Sequence, residues 1–345
     1  MNFYISNFKL FLSTIIITKI ILITLFSFIL NFYLDIKPNK NQFIEYMKES
    51  KSRHMLNKFN FKNYEKIFIG SSKTQYHISK NIFSKKNINV YNYGISGNFF
   101  YNFPYMVEKS ILLNPKEIII SLPITDLYNK NVFAKDFKGI LFEDFKYIIR
   151  THSFEESKIA FYEMIKNLYL PFLYAQNINS KIIHIYKSFN FQIYRKISSK
   201  NDKNIKENKN LSNSQIYLDC TPFFIDDSVV NCTNGDGILF GSSKILTKQN
   251  KVIFLDNKDL NINKNNFLNL LQDTLNKKNI KLILIFEPSR NRTFKFDKKL
   301  LDKMINFKTL DANIFEAKDE YWKDISHFNS IGRKFYTEFL LGKLN

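Results

Sequence analysis

Glycine and proline are scarce in this chain of 345 residues, nine and seven in all. Their scarcity excludes collagen-like, Gly/Ser-linker and proline-rich architectures. The two cysteines, Cys220 and Cys232, are too few for a disulfide scaffold and lack metal-ligand spacing. No zinc-finger spacing, RNP-type aromatic motif or internal repeat is present. Acidic residues are outnumbered: 51 Lys and Arg against 31 Asp and Glu leave a formal charge of +20. That excess is mostly lysine, spread along the chain beside abundant asparagine, as AT-rich codon usage produces. It forms no nucleic-acid patch, so no nucleic-acid partner is expected. What the chain does have is apolar bulk, with 36 Phe, 19 Tyr and 45% hydrophobic residues. Wholesale disorder is thereby excluded, and the length suits one large domain or two small ones.

One long hydrophobic run stands at the amino terminus. Residues 10–34 read LFLSTIIITKIILITLFSFILNFYL, with Lys19 as the single charge. At about 1.5 Å per residue such a helix spans a hydrocarbon core of roughly 30 Å, either with the Lys19 stem snorkelling or with Lys19 marking the inner end of a shorter span at 20–34. The bulky Asn31-Phe32-Tyr33-Leu34 offers no small-x-small cleavage site, which favours an uncleaved signal anchor over a cleaved signal peptide. Lys9 before the run and Lys37 and Lys40 after it leave the positive-inside comparison nearly balanced. Signal-anchor logic then places the rest of the chain outside the cytoplasm. The expected organisation is a membrane segment over 1–36, a polar stalk over 37–62 and a single α/β domain over 63–345.

From residue 63 a β/α alternation begins. Short apolar strands are expected at 66–69 and 88–93, and buried ones at 117–122 (EIIISL) and 281–286 (KLILIF). A weak strand is expected at about 309–315. Helices are expected at about 102–114, 154–170, 264–278, 297–306 and 329–342. Residues 177–260 break this rhythm and read as an insertion beside the site. Strands alternating with helices imply an α/β fold, a three-layer α/β/α sandwich around a mainly parallel sheet.

Sites in such sheets gather at the carboxyl ends of the strands, and three strand ends carry unusual residues. The first strand runs into Gly70-Ser71-Ser72 and a helix start. That geometry can present a hydroxyl above the sheet, but taken alone it reads first as a serine N-cap. The second strand leads to Ile95-Ser96-Gly97-Asn98, where Gly97 could offer a backbone N–H to a substrate oxygen. Near the carboxyl terminus, Asp324 and His327 stand three apart just before an amphipathic helix. A carboxylate at that spacing can fix the tautomer of the imidazole. Of five histidines only His327 has this setting.

Taken in order, these blocks resemble the SGNH/GDSL hydrolase superfamily over about residues 63–345, with the insertion unmatched. The resemblance implies a flavodoxin-like sheet and assigns Ser72 as nucleophile, with Ser71 in place of the family's aspartate. It assigns His327 as general base and acid, Asp324 as the residue orienting it, and the N–H groups of Ser72 and Gly97 to the oxyanion hole. The third block departs from G-x-N-D: SLPITDLYN puts Thr125 where the oxyanion Asn belongs. A hydroxyl can donate but lacks the amide's reach. Gly-Ser-Ser together with an amino-terminal anchor resembles the envelope-polymer acylation branch. The resemblance thus implies an esterase or O-acyltransferase acting on acyl, chiefly acetyl, esters of a cell-envelope glycan. It needs no metal or organic cofactor and works beside a membrane-bound O-acyltransferase from the inner membrane. The alternative is a degenerate member that binds polymer or scaffolds a modification complex. In an oxidising compartment Cys220 and Cys232 could close a short disulfide loop; in a reducing one they stay unpaired thiols.

Overall fold

The computed structural model describes residues 13–19, 21–22, 43–56, 63–173, 222–226, 229–232, 236–239 and 251–344. The chain divides into two compact units, 1–43 with 165–212 and 44–164 with 213–345. Every described residue of the first unit is helical. Among the described residues no helix is long and apolar enough to cross a membrane. Most of the 10–34 run lies outside the described residues, as does Cys220 with its proposed disulfide.

The second unit holds ten described strands: β1 (Lys66–Gly70), β2 (Val90–Gly94), β3 (Glu117–Leu122), β4 (Pro222–Asp226), β5 (Val229–Cys232), β6 (Gly237–Leu239), β7 (Lys251–Phe254), β8 (Lys281–Phe286), β9 (Arg292–Lys295) and β10 (Lys308–Asp311). The helices are α1 (Phe43–Leu56), α2 (Ser72–His77), α3 (Lys80–Ser84), α4 (Phe103–Ile111), α5 (Phe142–Thr151), α6 (Phe154–Leu173), α7 (Ile262–Asn276), α8 (Lys298–Met304) and α9 (Ser330–Leu344).

Five strands form a wholly parallel central sheet in the order β10-β8-β3-β1-β2. The continuous apolar runs of β3 and β8 lie at its centre, with Ile118 beside Leu282 and Ile120 beside Leu284. They are buried on both faces, which is why neither alternates. The chain winds from β1 to β2, then returns past β1 to β3, β8 and β10. That reversal opens a crevice at the carboxyl ends of β1 and β3.

Helices cover both faces. On one, Phe68, Val90, Ile119, Ile283 and Ile285 pack with Phe83 of α3, Trp322, Phe328, and Tyr336 and Leu340 of α9. On the other lie α1, α4 and α7: Tyr91 and Tyr93 donate from β2 to the backbone oxygens of Lys51 and Lys48, at 2.9 and 2.7 Å.

Residues 43–56, expected within a polar stalk, instead form α1. Lys48 is fully buried, its ammonium shared by Asp144 Oδ2 at 2.5 Å, Gly139 O at 3.0 Å and Asn102 Oδ1 at 3.1 Å. Lys51 is buried too and donates to Gly94 O. The polar average of the segment hid a buried face because its charges find partners 43 to 96 residues away.

Outside the main sheet, β4-β5-β6 make a small antiparallel sheet and β7 pairs in parallel with β9. Both lie in or beside the stretch read as an insertion. Arg333 of α9 fixes β6 by donating to Gly237 O at 2.7 Å and pairing with Asp236 Oδ2 at 3.1 Å; a third bond, at 2.8 Å, reaches Ile78 O.

Candidate active site

The turn after β1 has little room. A Cβ on Gly70 would overlap Thr74 Oγ1 and come within 2.6 Å of Ser121 O. A Cβ on Gly94 would overlap the backbone of Gln75. These two strand-end glycines let α2 seat directly across β1 and β2. Asn92, fully buried on β2, holds the far end of that helix by donating to the carbonyls of Thr74, Gln75 and Ile78 at 3.1–3.2 Å.

Within the turn the two serines divide the work. Ser71 is the N-cap and accepts the Lys73 N–H at 3.3 Å. Ser72 opens the helix, half-buried, with its hydroxyl 2.8 Å from His327 Nε2. Ser71 therefore caps, which leaves the Ser72 hydroxyl to the imidazole.

His327 comes from the loop before α9. Trp322 bridges to Phe328 across a tight reversal, and the Lys323 N–H donates to His327 O at 2.8 Å. Asp324 Oδ1 closes the reversal from inside by accepting the N–H groups of Ser326 and His327 at 2.7 and 2.9 Å. The same carboxylate receives His327 Nδ1 at 2.9 Å on Oδ2 and 3.1 Å on Oδ1. Burial alone would raise the Asp324 pKa; the hydrogen bonds from the His327 ring and from the two backbone N–H groups outweigh it and hold the pKa at about 2. An ionised acceptor at Nδ1 keeps the ring proton there and leaves Nε2 free to accept from Ser72. Ser72, His327 and Asp324 thus form one continuous hydrogen-bonded triad.

His327 is braced by two aromatic neighbours. Tyr76 meets its ring edge-on with centroids 5.5 Å apart, and a Cβ on Gly237 would press into the Tyr76 ring. The strand β6 therefore backs the wall behind the imidazole. His77, which sequence reasoning passed over, is buried at 1% exposure. Burial first, then the charges of Lys73, His327 and Arg333, push its pKa well below the usual range. It stays neutral and accepts the Phe328 N–H at Nε2, 3.0 Å away, fixing the residue that follows His327.

The expected oxyanion donors stand at the ends of three adjacent strands. The Ser72 and Gly97 N–H groups make no hydrogen bond to the protein among the described residues. Gly97 has φ +77°, where glycine is favoured, and is exposed. Its loop is tied to the turn that carries Ser72, because the Ile95 N–H and Asn98 Nδ2 both donate to Gly70 O, at 3.1 and 3.3 Å. Thr125 lies in a single 3₁₀ turn after β3, half-buried, and makes no hydrogen bond to Ser72, His327 or Asp324 among the described residues.

Beneath the site is a buried carboxyl, Glu287, at the end of β8. Its Oε1 accepts from Ser121 Oγ at 3.0 Å and Thr74 Oγ1 at 3.3 Å, and burial raises its pKa. An acidic residue directly after the apolar KLILIF was a readable sign of a strand-end site. Lys73 reaches across to Pro288 O at 3.0 Å and Ser289 Oγ at 3.4 Å. Asp126, beside Thr125, is pushed up to about 6 by burial, against the pull of Lys264 and Lys73. Among the described residues no group of three or more His, Cys, Asp or Glu side chains could hold a metal ion.

Compared with models of known families, with curated proteins and with solved structures, the chain matches none.

Proposed function

We propose that the chain is a serine esterase or O-acyltransferase of SGNH type, with a flavodoxin-like sheet, acting on acyl esters of a cell-envelope glycan. The observation that carries this reading is the 2.8 Å contact between His327 Nε2 and Ser72 Oγ, side chains 255 residues apart, with Asp324 behind the imidazole. Nothing about packing requires a half-buried serine to face a histidine held in that tautomer.

In the proposed reaction Ser72 Oγ attacks the ester carbonyl as His327 takes its proton. Asp324 stabilises the resulting imidazolium. The N–H groups of Ser72 and Gly97 receive the developing oxyanion; losing one such donor typically costs about 100–1,000-fold in rate. The alcohol leaves with the proton from His327. Water or a sugar hydroxyl then attacks the acyl-serine, giving hydrolysis or transfer.

The glycan substrate, the acetyl group and a membrane-bound O-acyltransferase partner rest on the family resemblance. The inner-membrane location rests on the apolar run at 10–34. The test is acetate release, or acetyl movement to an acceptor sugar, by the full-length protein on an O-acetylated envelope polysaccharide, with Ser72→Ala as control. Ser72-dependent loss of acetyl supports the reading. A polymer retained without turnover favours the binding alternative, to which Thr125 in place of the family's Asn lends its support.

A further inference from the structure

We infer that Gln75 is a positioning residue of the oxyanion site, setting where the Gly97 N–H stands relative to Ser72. The inference rests on the proposed acyl-transfer reading. Gln75 is 2% exposed and lies on α2, three residues after Ser72. Its Oε1 accepts the N–H of Ser96 at 2.9 Å. Ser96 immediately precedes Gly97, so this bond fixes the peptide that leads into the donor. The far side of the turn is fixed as well. The Asn98 N–H donates to Ile95 O at 3.1 Å, and Asn98 Nδ2 donates to Gly70 O.

Gly97 is thereby clamped between two anchors, both belonging to the segment that carries the nucleophile. Side-chain packing would not hold it, since among the described residues no heavy atom beyond its own chain neighbours lies within 4 Å of where its Cβ would be. Held by the Ile95 and Asn98 bonds alone, a donor on this exposed glycine turn keeps many orientations open to it. One bond from the nucleophile's own helix removes most of them before substrate arrives. Preorganisation of this kind is what makes an oxyanion donor effective, because no reorganisation is left for the moment of reaction.

A merely structural glutamine would show its loss in folding. A positioning glutamine shows it in turnover, with the base untouched. The experiment compares full-length wild type, Gln75→Leu, Gln75→Asn and Gln75→Glu with p-nitrophenyl acetate as probe. Leucine removes the acceptor and asparagine lacks its reach, so either serves if the other fails to fold. Glutamate keeps an oxygen for the same N–H.

The expected result is a fall in kcat of about 10–100-fold for the Leu and Asn variants, smaller than the loss of a whole donor. KM stays within about twofold and the acidic limb of the pH profile stays in place, as positioning rather than binding requires. Glutamate restores kcat to within about threefold of wild type. Hydrogen exchange over residues 95–98 is at least tenfold faster in the Leu variant, a readout that needs no turnover. An unchanged kcat, an equal loss in the Glu variant, a shifted acidic limb or unchanged exchange would each overturn the inference. Wild type without Ser72-dependent turnover would sink the acyl-transfer reading instead, and the exchange measurement would still report whether Gln75 holds the turn.

Discussion

Replacing Asp324 with asparagine separates the chemistry of the triad from its scaffolding. Asparagine keeps one side-chain oxygen, which can go on accepting the Ser326 and His327 N–H groups now bound at 2.7 and 2.9 Å. The reversal that carries His327 therefore survives, and the stability loss is about 1 kcal/mol, one ordinary hydrogen bond. The position now occupied by Oδ2, 2.9 Å from Nδ1, receives an NH2 group. Two donors cannot face each other, so the ring proton moves to Nε2. That nitrogen then donates toward Ser72 Oγ at 2.8 Å and no longer takes its proton. In the Ser-His-Asp template a wrong tautomer costs about 10⁴ in rate. Here the Asp324 side chain is 43% exposed. Water can then stand in for part of its role, which brings the expected loss to about 10²–10⁴, or about 2.7–5.4 kcal/mol of transition-state stabilisation. The assay is the second-order rate of inactivation by a fluorophosphonate, which needs serine deprotonation but no knowledge of the natural substrate. A variant within tenfold of wild type would refute the reasoning. The depressed pKa of Asp324, about 2 against an ordinary 3.8, adds a pH statement. Its contribution to stability is full above about 4 and is lost as pH falls from there through about 2. An acidic limb seen above pH 4 therefore does not come from this carboxylate.

Two predictions concern the buried lysines of α1. Asp144→Ala strands the Lys48 ammonium, whose side chain and partner are both fully buried, and should cost about 3–5 kcal/mol by urea unfolding. The double replacement Lys48→Met, Asp144→Leu should recover most of that, and a double variant no more stable than the single one would contradict the explanation. Burial holds Lys51 at about 7, against the pull of Asp236, while the unfolded chain titrates it near 10.5. The unfolded state then binds more protons between those values, so this lysine makes stability rise with pH from about 7 to 10. Melting temperatures at pH 7 and pH 9 should differ less in Lys51→Met than in wild type; equal differences would rule Lys51 out as the source.

What was legible in the sequence was local. The strands at 117–122 and 281–286 fall where the apolar runs put them, because strands buried on both faces write their burial into consecutive residues. Asp324 and His327 were legible for a similar reason: the turn joining them spans four residues and its hydrogen bonds are internal. Ser72 was ambiguous from sequence, since the same residues can cap a helix or arm a nucleophile. In the structure Ser71 takes the cap and the Ser72 hydroxyl faces His327 Nε2. What was not legible depends on distant partners. The polarity of 43–56 masks α1 because Lys48 meets Asp144 far along the chain. Gln75 and His77 look like ordinary helix residues until Ser96 and Phe328 are placed against them. The short strand β7 was missed since three of its four residues are exposed and show no buried face.

The most direct test of the account is the site of covalent labelling in the folded, full-length protein. Intact mass and peptide mapping after fluorophosphonate treatment should show one adduct, on the peptide carrying Ser72. It should be absent in Ser72→Ala and formed at least about 100-fold more slowly in His327→Ala, which lacks the base. No adduct in protein shown to be folded, or an adduct on another serine that persists in Ser72→Ala, would contradict the assignment of Ser72 as the nucleophile.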